Sequence, residues 1–249
     1  MAGFEKPHYD PGKPDGILLQ QSNTESEDCP ECGGAGFFAG AEPGKLVACN
    51  CLIRAAKEDR RLAFWGSLNA RYRSFTAEGW PHPNKTRRDI LSKIIAGAKE
   101  ASSWYFCGRP GVGKTGLALV YANAFLDEHT KVPLFVSGPK LFAELRDTYS
   151  HVEGQPTEMQ VVNRYAEAGL LILDDLGSEH VSASGWAEDR LYQIIGERHG
   201  EIRPTLITSN MSLGQIGRKF GERIEWRIFE LCGKDHIIEL TGPNLRDAD

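Results

Sequence analysis

Residues Gly108-Arg109-Pro110-Gly111-Val112-Gly113-Lys114-Thr115 fit the pattern G-x-x-x-x-G-K-[ST]. Its chemistry is phosphate binding. Glycines let the main chain wrap closely around an anion, because no Cβ stands in the way. A helix starting where the loop ends would point free N–H groups, and the positive end of its dipole, at the same anion. Lys114 would reach the β- and γ-phosphates, and the Thr115 hydroxyl would ligate Mg²⁺. Gly108, Pro110, Gly111, Val112, Gly113, Lys114, Thr115 and Gly116 are expected to line the site.

Further along, Leu170-Leu171-Ile172-Leu173-Asp174-Asp175-Leu176-Gly177 sets two acids after an apolar run. Continuous hydrophobicity suits a buried parallel strand, and ligands bind at the carboxyl ends of such strands. Asp174 is expected to hold Mg²⁺ and Asp175 to polarise an attacking water. Asn210, at the polar tip of Leu206-Ile207-Thr208-Ser209-Asn210, is a candidate for positioning that water or reading the γ-phosphate. A second chemistry sits upstream. Cys29-Pro30-Glu31-Cys32 and Cys49-Asn50-Cys51 are two thiol pairs separated by sixteen residues. Cys29, Cys32, Cys49 and Cys51 together would complete a tetrahedral Zn²⁺ site. Four thiolates leave no open position, so the role is structural.

The elements that must position these residues follow from apolar spacing. Strands are expected at 103–107, 131–136, 170–173, 204–210 and 236–240, and helices at 52–68, 86–101, 116–126, 140–149, 157–167, 185–200 and 222–231. Thr157 is a candidate N-cap. Trp80-Pro81-His82-Pro83-Asn84 reads as a break, and Lys85, Arg87 and Arg88 as solvated charges. Residues 1–28, rich in Pro, Gly, Ser and acids, read as a flexible tail. Residues 29–68 form the zinc module, and 69–249 the larger domain.

Composition narrows the class. A net charge of −5 excludes a strongly basic nucleic-acid binder, so any DNA contact must be a local patch. Lys140, Arg146 and Arg164 are weak candidates for one. No apolar run is long enough to span a membrane, and the first fifteen residues show no secretory pattern. A cytoplasmic protein is expected, with its six cysteines serving as metal ligands or buried thiols.

The order of these motifs resembles the AAA+ ATPases, and more narrowly the DnaC/DnaI helicase-loader family and its relative, the IstB transposition helper. GRPGVGKT (Gly108 to Thr115), LLILDDLG (Leu170 to Gly177), LITSN (Leu206 to Asn210) and GERIEWRIFE (Gly221 to Glu230) carry the resemblance, together with the cysteine module and the closing Gly242-Pro243-Asn244-Leu245-Arg246. The resemblance implies a three-layer α/β P-loop NTPase core with a parallel five-stranded sheet, no C-terminal helical lid, and a small N-terminal zinc module that grips the helicase. It implies ATP, Mg²⁺ and Zn²⁺ as cofactors. The implied activity is ATP hydrolysis, slow and stimulated by DNA or assembly, that loads a DnaB-type hexameric helicase onto single-stranded DNA. An IstB-like helper of transposition is the alternative. Asn210 matches the first sensor. Asp175 stands where most AAA+ enzymes have Glu, one methylene longer. Arg227 matches the arginine finger that reaches a neighbouring subunit's nucleotide in a homo-oligomer, with Arg223 second. Arg246 would partly replace a lid arginine.

Overall fold

The computed structural model describes residues 29–42, 45–72, 75–81, 84–150, 154–179 and 185–245. The tail expected at 1–28 and Arg246 lie outside them. The chain divides into two compact units between Ala56 and Lys57. That division falls inside the helix Asn50–Ser67, ahead of the boundary expected near Asn69.

The first unit holds an antiparallel hairpin, β1 (Phe37–Ala39) and β2 (Leu46–Ala48), and the start of α1 (Asn50–Ser67). The hairpin closes with Gly40 N donating to Lys45 O at 2.7 Å.

The second unit continues α1, whose Phe64 is fully buried. Its further elements are α2 (Lys85–Lys99), β3 (Trp104–Cys107), α3 (Lys114–Glu128), β4 (Leu134–Ser137), α4 (Gly138–Asp147), α5 (Glu158–Glu167), β5 (Leu171–Leu176), α6 (Trp186–Gly200), β6 (Thr205–Ser209), α7 (Leu213–Phe220), α8 (Glu222–Cys232) and β7 (Ile237–Glu239). The five strands β3 to β7 form one parallel sheet in the order β4-β5-β6-β3-β7.

Period-two alternation sends successive strand residues to opposite faces. Tyr105, Leu171, Leu173 and Ile207 join one apolar cluster with residues of α4 to α8. Trp104, Phe106, Ile172 and Leu206 join the other with residues of α1 to α3. Helices therefore cover both faces, which gives the expected three layers. Thr157 caps α5 in a reciprocal capping box with Gln160. Arg198 is fully buried on α6 and donates to the carbonyls of Tyr165, Ala166, Ala168 and Pro204 and to the Thr205 hydroxyl. Its guanidinium thereby satisfies the C-terminal carbonyls of α5 and ties that helix end to the start of β6. Among the described residues, no helix is long and apolar enough to cross a membrane.

Candidate active site

The sheet order makes β5, β6 and β3 neighbours, so the residues after their carboxyl ends converge. Beyond β3, Gly108, Gly111 and Gly113 have φ of 136°, 82° and 98°. A Cβ at Gly108 would lie 2.2 Å from Leu240 O, and one at Gly111 would lie 1.7 Å from Asn244 Oδ1. Only glycine fits either position. Gly113 is the N-cap of α3 and carries no side-chain cap, which suits a helix whose first amides receive an anion. Gly116 serves packing: a Cβ there would stand 2.8 Å from the Phe75 ring and 3.2 Å from Trp80.

Lys114 is buried, and its Nζ donates to Gly108 O at 2.8 Å, Arg109 O at 2.9 Å and Asn210 Oδ1 at 2.8 Å. The ammonium thus stands at the mouth of the loop, linked to the tip of β6. Asn210 Nδ2 in turn donates to Asp175 Oδ1 at 2.9 Å. The Thr115 hydroxyl donates to Asp174 Oδ1 at 2.8 Å, and the Thr208 hydroxyl donates to the same oxygen at 2.7 Å. Burial pushes the Asp174 carboxyl above its usual range, and the two hydroxyls partly offset this. A buried carboxylate beside a threonine hydroxyl is a donor set of the kind hard divalent cations prefer. Lys114, Thr115, Asp174, Asp175 and Asn210 therefore lie in one connected network.

Two consecutive strand residues should face opposite sides, yet both aspartates join this network. The register of β5 against β6 shifts between Leu173 and Leu176, and Asp175 has φ of 55°. Such an irregularity re-aims side chains. Thr208 is fully buried, accepts from Asp175 N at 2.9 Å and donates to Asp174, so it fixes both. Sequence reasoning missed Thr208; a hydroxyl directly after the apolar pair Leu206-Ile207 of a central strand was the available signal.

Arg87 and Trp80 correct their expected roles. Arg87 is only 5% exposed and donates to Pro81 O at 3.1 Å, Val112 O at 2.8 Å and Thr241 O at 3.2 Å, so it is not a solvated charge. Trp80 is fully buried, and its Nε1 donates to Gly113 O at 3.0 Å.

Arg227 does not join the loop. It lies on α8 and contacts His199 Nδ1 at 3.1 Å, Glu230 at 2.9 Å and the Tyr192 hydroxyl at 3.2 Å. The Arg223 guanidinium stands 4.2 Å from the centre of the Tyr192 ring. These bonds, first of all that from Arg227, lower the Tyr192 pKa. Of the DNA-contact candidates, Lys140 and Arg164 both pair with Glu144.

In the first unit the four expected cysteine sulfurs lie within 4.8 Å of one another. Cys29 Sγ is 3.9 Å from Cys49 Sγ, and Cys32 Sγ is 3.5 Å from Cys51 Sγ. A tetrahedral ion with Zn–S bonds of about 2.3 Å requires sulfurs ~3.8 Å apart, so the cluster fits one. Gly36 N donates to Cys32 Sγ at 3.2 Å, which favours a thiolate there. Cys107 and Cys232 are buried in the larger unit.

Residues 95–243, covering the loop, both aspartates and the two strand ends, match the family described as IstB-like ATP binding protein. The chain is 24% identical over 239 residues to the phage-like element PBSX protein XkdC of Bacillus subtilis, covering 89% of this chain and 85% of that one. It is 27% identical over 123 residues to the replicative helicase loader DnaC of Escherichia coli, covering 49% of this chain. That alignment spans 48% of the loader, about half its length. Among solved structures, DnaI superposes with a TM-score of 0.59 at 26% identity over 72% of this chain and 95% of DnaI. The DnaC helicase loader gives the same TM-score at 24% identity over 70% of this chain and all of that one, which speaks for the fold. This is the P-loop fold of the AAA+ neighbours, and with its matched residues the chain belongs to the IstB-like ATP binding protein family.

Proposed function

We propose that this chain is a cytoplasmic ATPase that loads a DnaB-type hexameric replicative helicase onto single-stranded DNA. The observation that carries the reading is the 27% identity to a replicative helicase loader through 123 residues. The site geometry supports the ATPase part. The loop amides and Lys114 would hold the phosphates, and Thr115 and Asp174 would hold Mg²⁺. The metal, when bound, neutralises phosphate charge. Asp175 would orient the attacking water. Asn210, bonded to both Lys114 and Asp175, would keep the cation and the acid in step. Asp is shorter than Glu by a methylene, so slow turnover is expected. Arg227 would serve the nucleotide of a neighbouring copy. The match to the IstB-like family supports a second reading, the ATP-dependent helper of transposition that the resemblance to IstB implies.

Capture on tagged chain separates the two. Purified hexameric replicative helicase should be retained, with the amount changing on addition of ATP. Retention of a transposase with no helicase retained would replace the first reading with the second.

The four cysteines are proposed to hold one zinc ion, in a unit too small for a core of its own that would grip the helicase. Protein purified without chelators should carry about one zinc per chain by metal analysis. Cys32→Ser should release it and raise amide exchange across residues 29–56, while ATP affinity stays near wild type, because the loop belongs to the other unit. Metal-free wild-type protein would remove this assignment.

A further inference from the structure

Three consecutive carbonyls of the phosphate loop are held from outside it. Gly111 O accepts from Leu245 N at 2.9 Å, Val112 O from Arg87 Nη2 at 2.8 Å, and Gly113 O from Trp80 Nε1 at 3.0 Å, beside the first α3 bond that it accepts from Leu117 N at 3.0 Å. In a planar trans peptide the C=O and the next N–H point in opposite directions. Anchoring these carbonyls therefore fixes the N–H directions of Val112, Gly113 and Lys114 on the other side of the backbone. Those amides lead into the N-terminus of α3. Leu245 acts through its main chain, so Trp80 and Arg87 are the two side chains in this set.

Both are costly choices for packing alone. Arg87 is almost fully buried, and its guanidinium donates to three main-chain carbonyls, of Pro81, Val112 and Thr241. Burying a charge among neutral acceptors is unfavourable compared with an apolar side chain of similar volume. Burial also lowers the Arg87 pKa. The guanidinium lies 5.0 Å from the Trp80 ring centre, so each residue supports the other. Trp80 sits so close that a Cβ at Gly113 would meet its Nε1 at 3.0 Å. Both residues come from the segment before β3, far in sequence from the loop they hold.

We propose that Trp80 and Arg87 are positioning residues of the phosphate site: they clamp the Gly113 and Val112 carbonyls so that the loop amides are aimed before nucleotide arrives. The proposal rests on the nucleotide reading above. Donors fixed in advance need no reorganisation on binding, and that pre-ordering appears as affinity. Without Arg87 the Val112–Gly113 peptide would have to be ordered by the ligand itself, and without Trp80 the Gly113 carbonyl would be held by its helical bond from Leu117 N alone. Trp80 is also bonded to a carbonyl of the phosphate loop, so its emission should respond to occupancy.

The test uses the full chain with Trp80→Phe, which keeps an aromatic ring and loses the N–H, and Arg87→Lys, which keeps the charge and loses the fork. ATP affinity is measured by titration at 25 °C, with urea unfolding and tryptophan emission alongside. Each variant should bind ATP about tenfold more weakly, the effect of one well-placed hydrogen bond. ATP should change the emission of wild type and of Arg87→Lys at saturation, and should leave Trp80→Phe unchanged although its other tryptophans remain. A purely structural role would lower the urea midpoint and leave the affinity of the folded protein alone. Affinities within about twofold of wild type in both variants would overturn the proposal. If Arg87→Lys does not fold, Trp80→Phe decides alone. Failure of wild type to bind ATP, or undiminished binding by Lys114→Ala, would sink the nucleotide reading instead, which keeps the two failures distinct.

Discussion

Lys114→Ala should abolish measurable ATP binding at micromolar nucleotide. The Nζ is the cation held at the mouth of the loop by Gly108 O, Arg109 O and Asn210 Oδ1. Phosphate would be drawn to the same point, where burial keeps solvent screening low. Removing one member of a buried, hydrogen-bonded charge pair costs about 2–5 kcal/mol, or roughly thirty- to several-thousand-fold in affinity. The variant also leaves the Asn210 amide without its lysine donor, which should loosen Asp175 through the bond that Asn210 makes to it. Equilibrium titration with a fluorescent ATP analogue measures the loss, and thermal unfolding checks that the fold persists. An affinity equal to wild type would contradict the assignment of this loop to nucleotide.

Arg227→Ala should bind ATP nearly as wild type does and hydrolyse it tenfold or more slowly under conditions of self-assembly. Arginine fingers elsewhere contribute about 10³–10⁵-fold, and the short acid at position 175 is expected to limit the gain here. Within one chain Arg227 serves Tyr192, His199 and Glu230. The Glu230 carboxylate is half exposed, and surface pairs of this kind contribute little, so giving up that pair for a phosphate would cost little. Its planar fork suits phosphate oxygens. Mixing distinguishes action on a neighbour from action within one chain. Lys114→Ala has an intact Arg227 and no working pocket; Arg227→Ala has the reverse. Two inactive preparations that regain activity when mixed place the finger in trans. Wild-type turnover by Arg227→Ala alone would move the role to Arg223.

The sheet was legible because its central strands are buried on both sides and so read as short apolar runs, as at Leu171 to Leu173. The loop was legible because phosphate binding leaves little freedom in residue type. Helix α7 was missed: Gly214 and Gly217 lie among its eight residues and weaken the helical reading. Its Ser212 and Gln215 nevertheless form a capping box, a signal present in the sequence. The hairpin at Phe37 to Ala48 lacks an inside and an outside, since its residues are almost all exposed, so no alternation marks it. The roles of Trp80 and Arg87 were illegible for a different reason. Their partners are carbonyls at positions 112, 113 and 241, and main-chain acceptors leave no trace in residue identity. A charged residue near a helix start reads as solvated until the segment packed over it is known.

The left-handed conformation of Asp175 limits what can replace it. A non-glycine residue pays roughly 1–2 kcal/mol to sit there, and the short side chains of Asp and Asn are the best tolerated after glycine. The longer acid common in related enzymes would thus have to overcome the backbone as well as fill the space. In this chain the short acid and the slipped register between β5 and β6 act together. A chimera that takes the longer acid from a relative must also take the strand ends that go with it, or the carboxylate will arrive on a main chain that does not aim it.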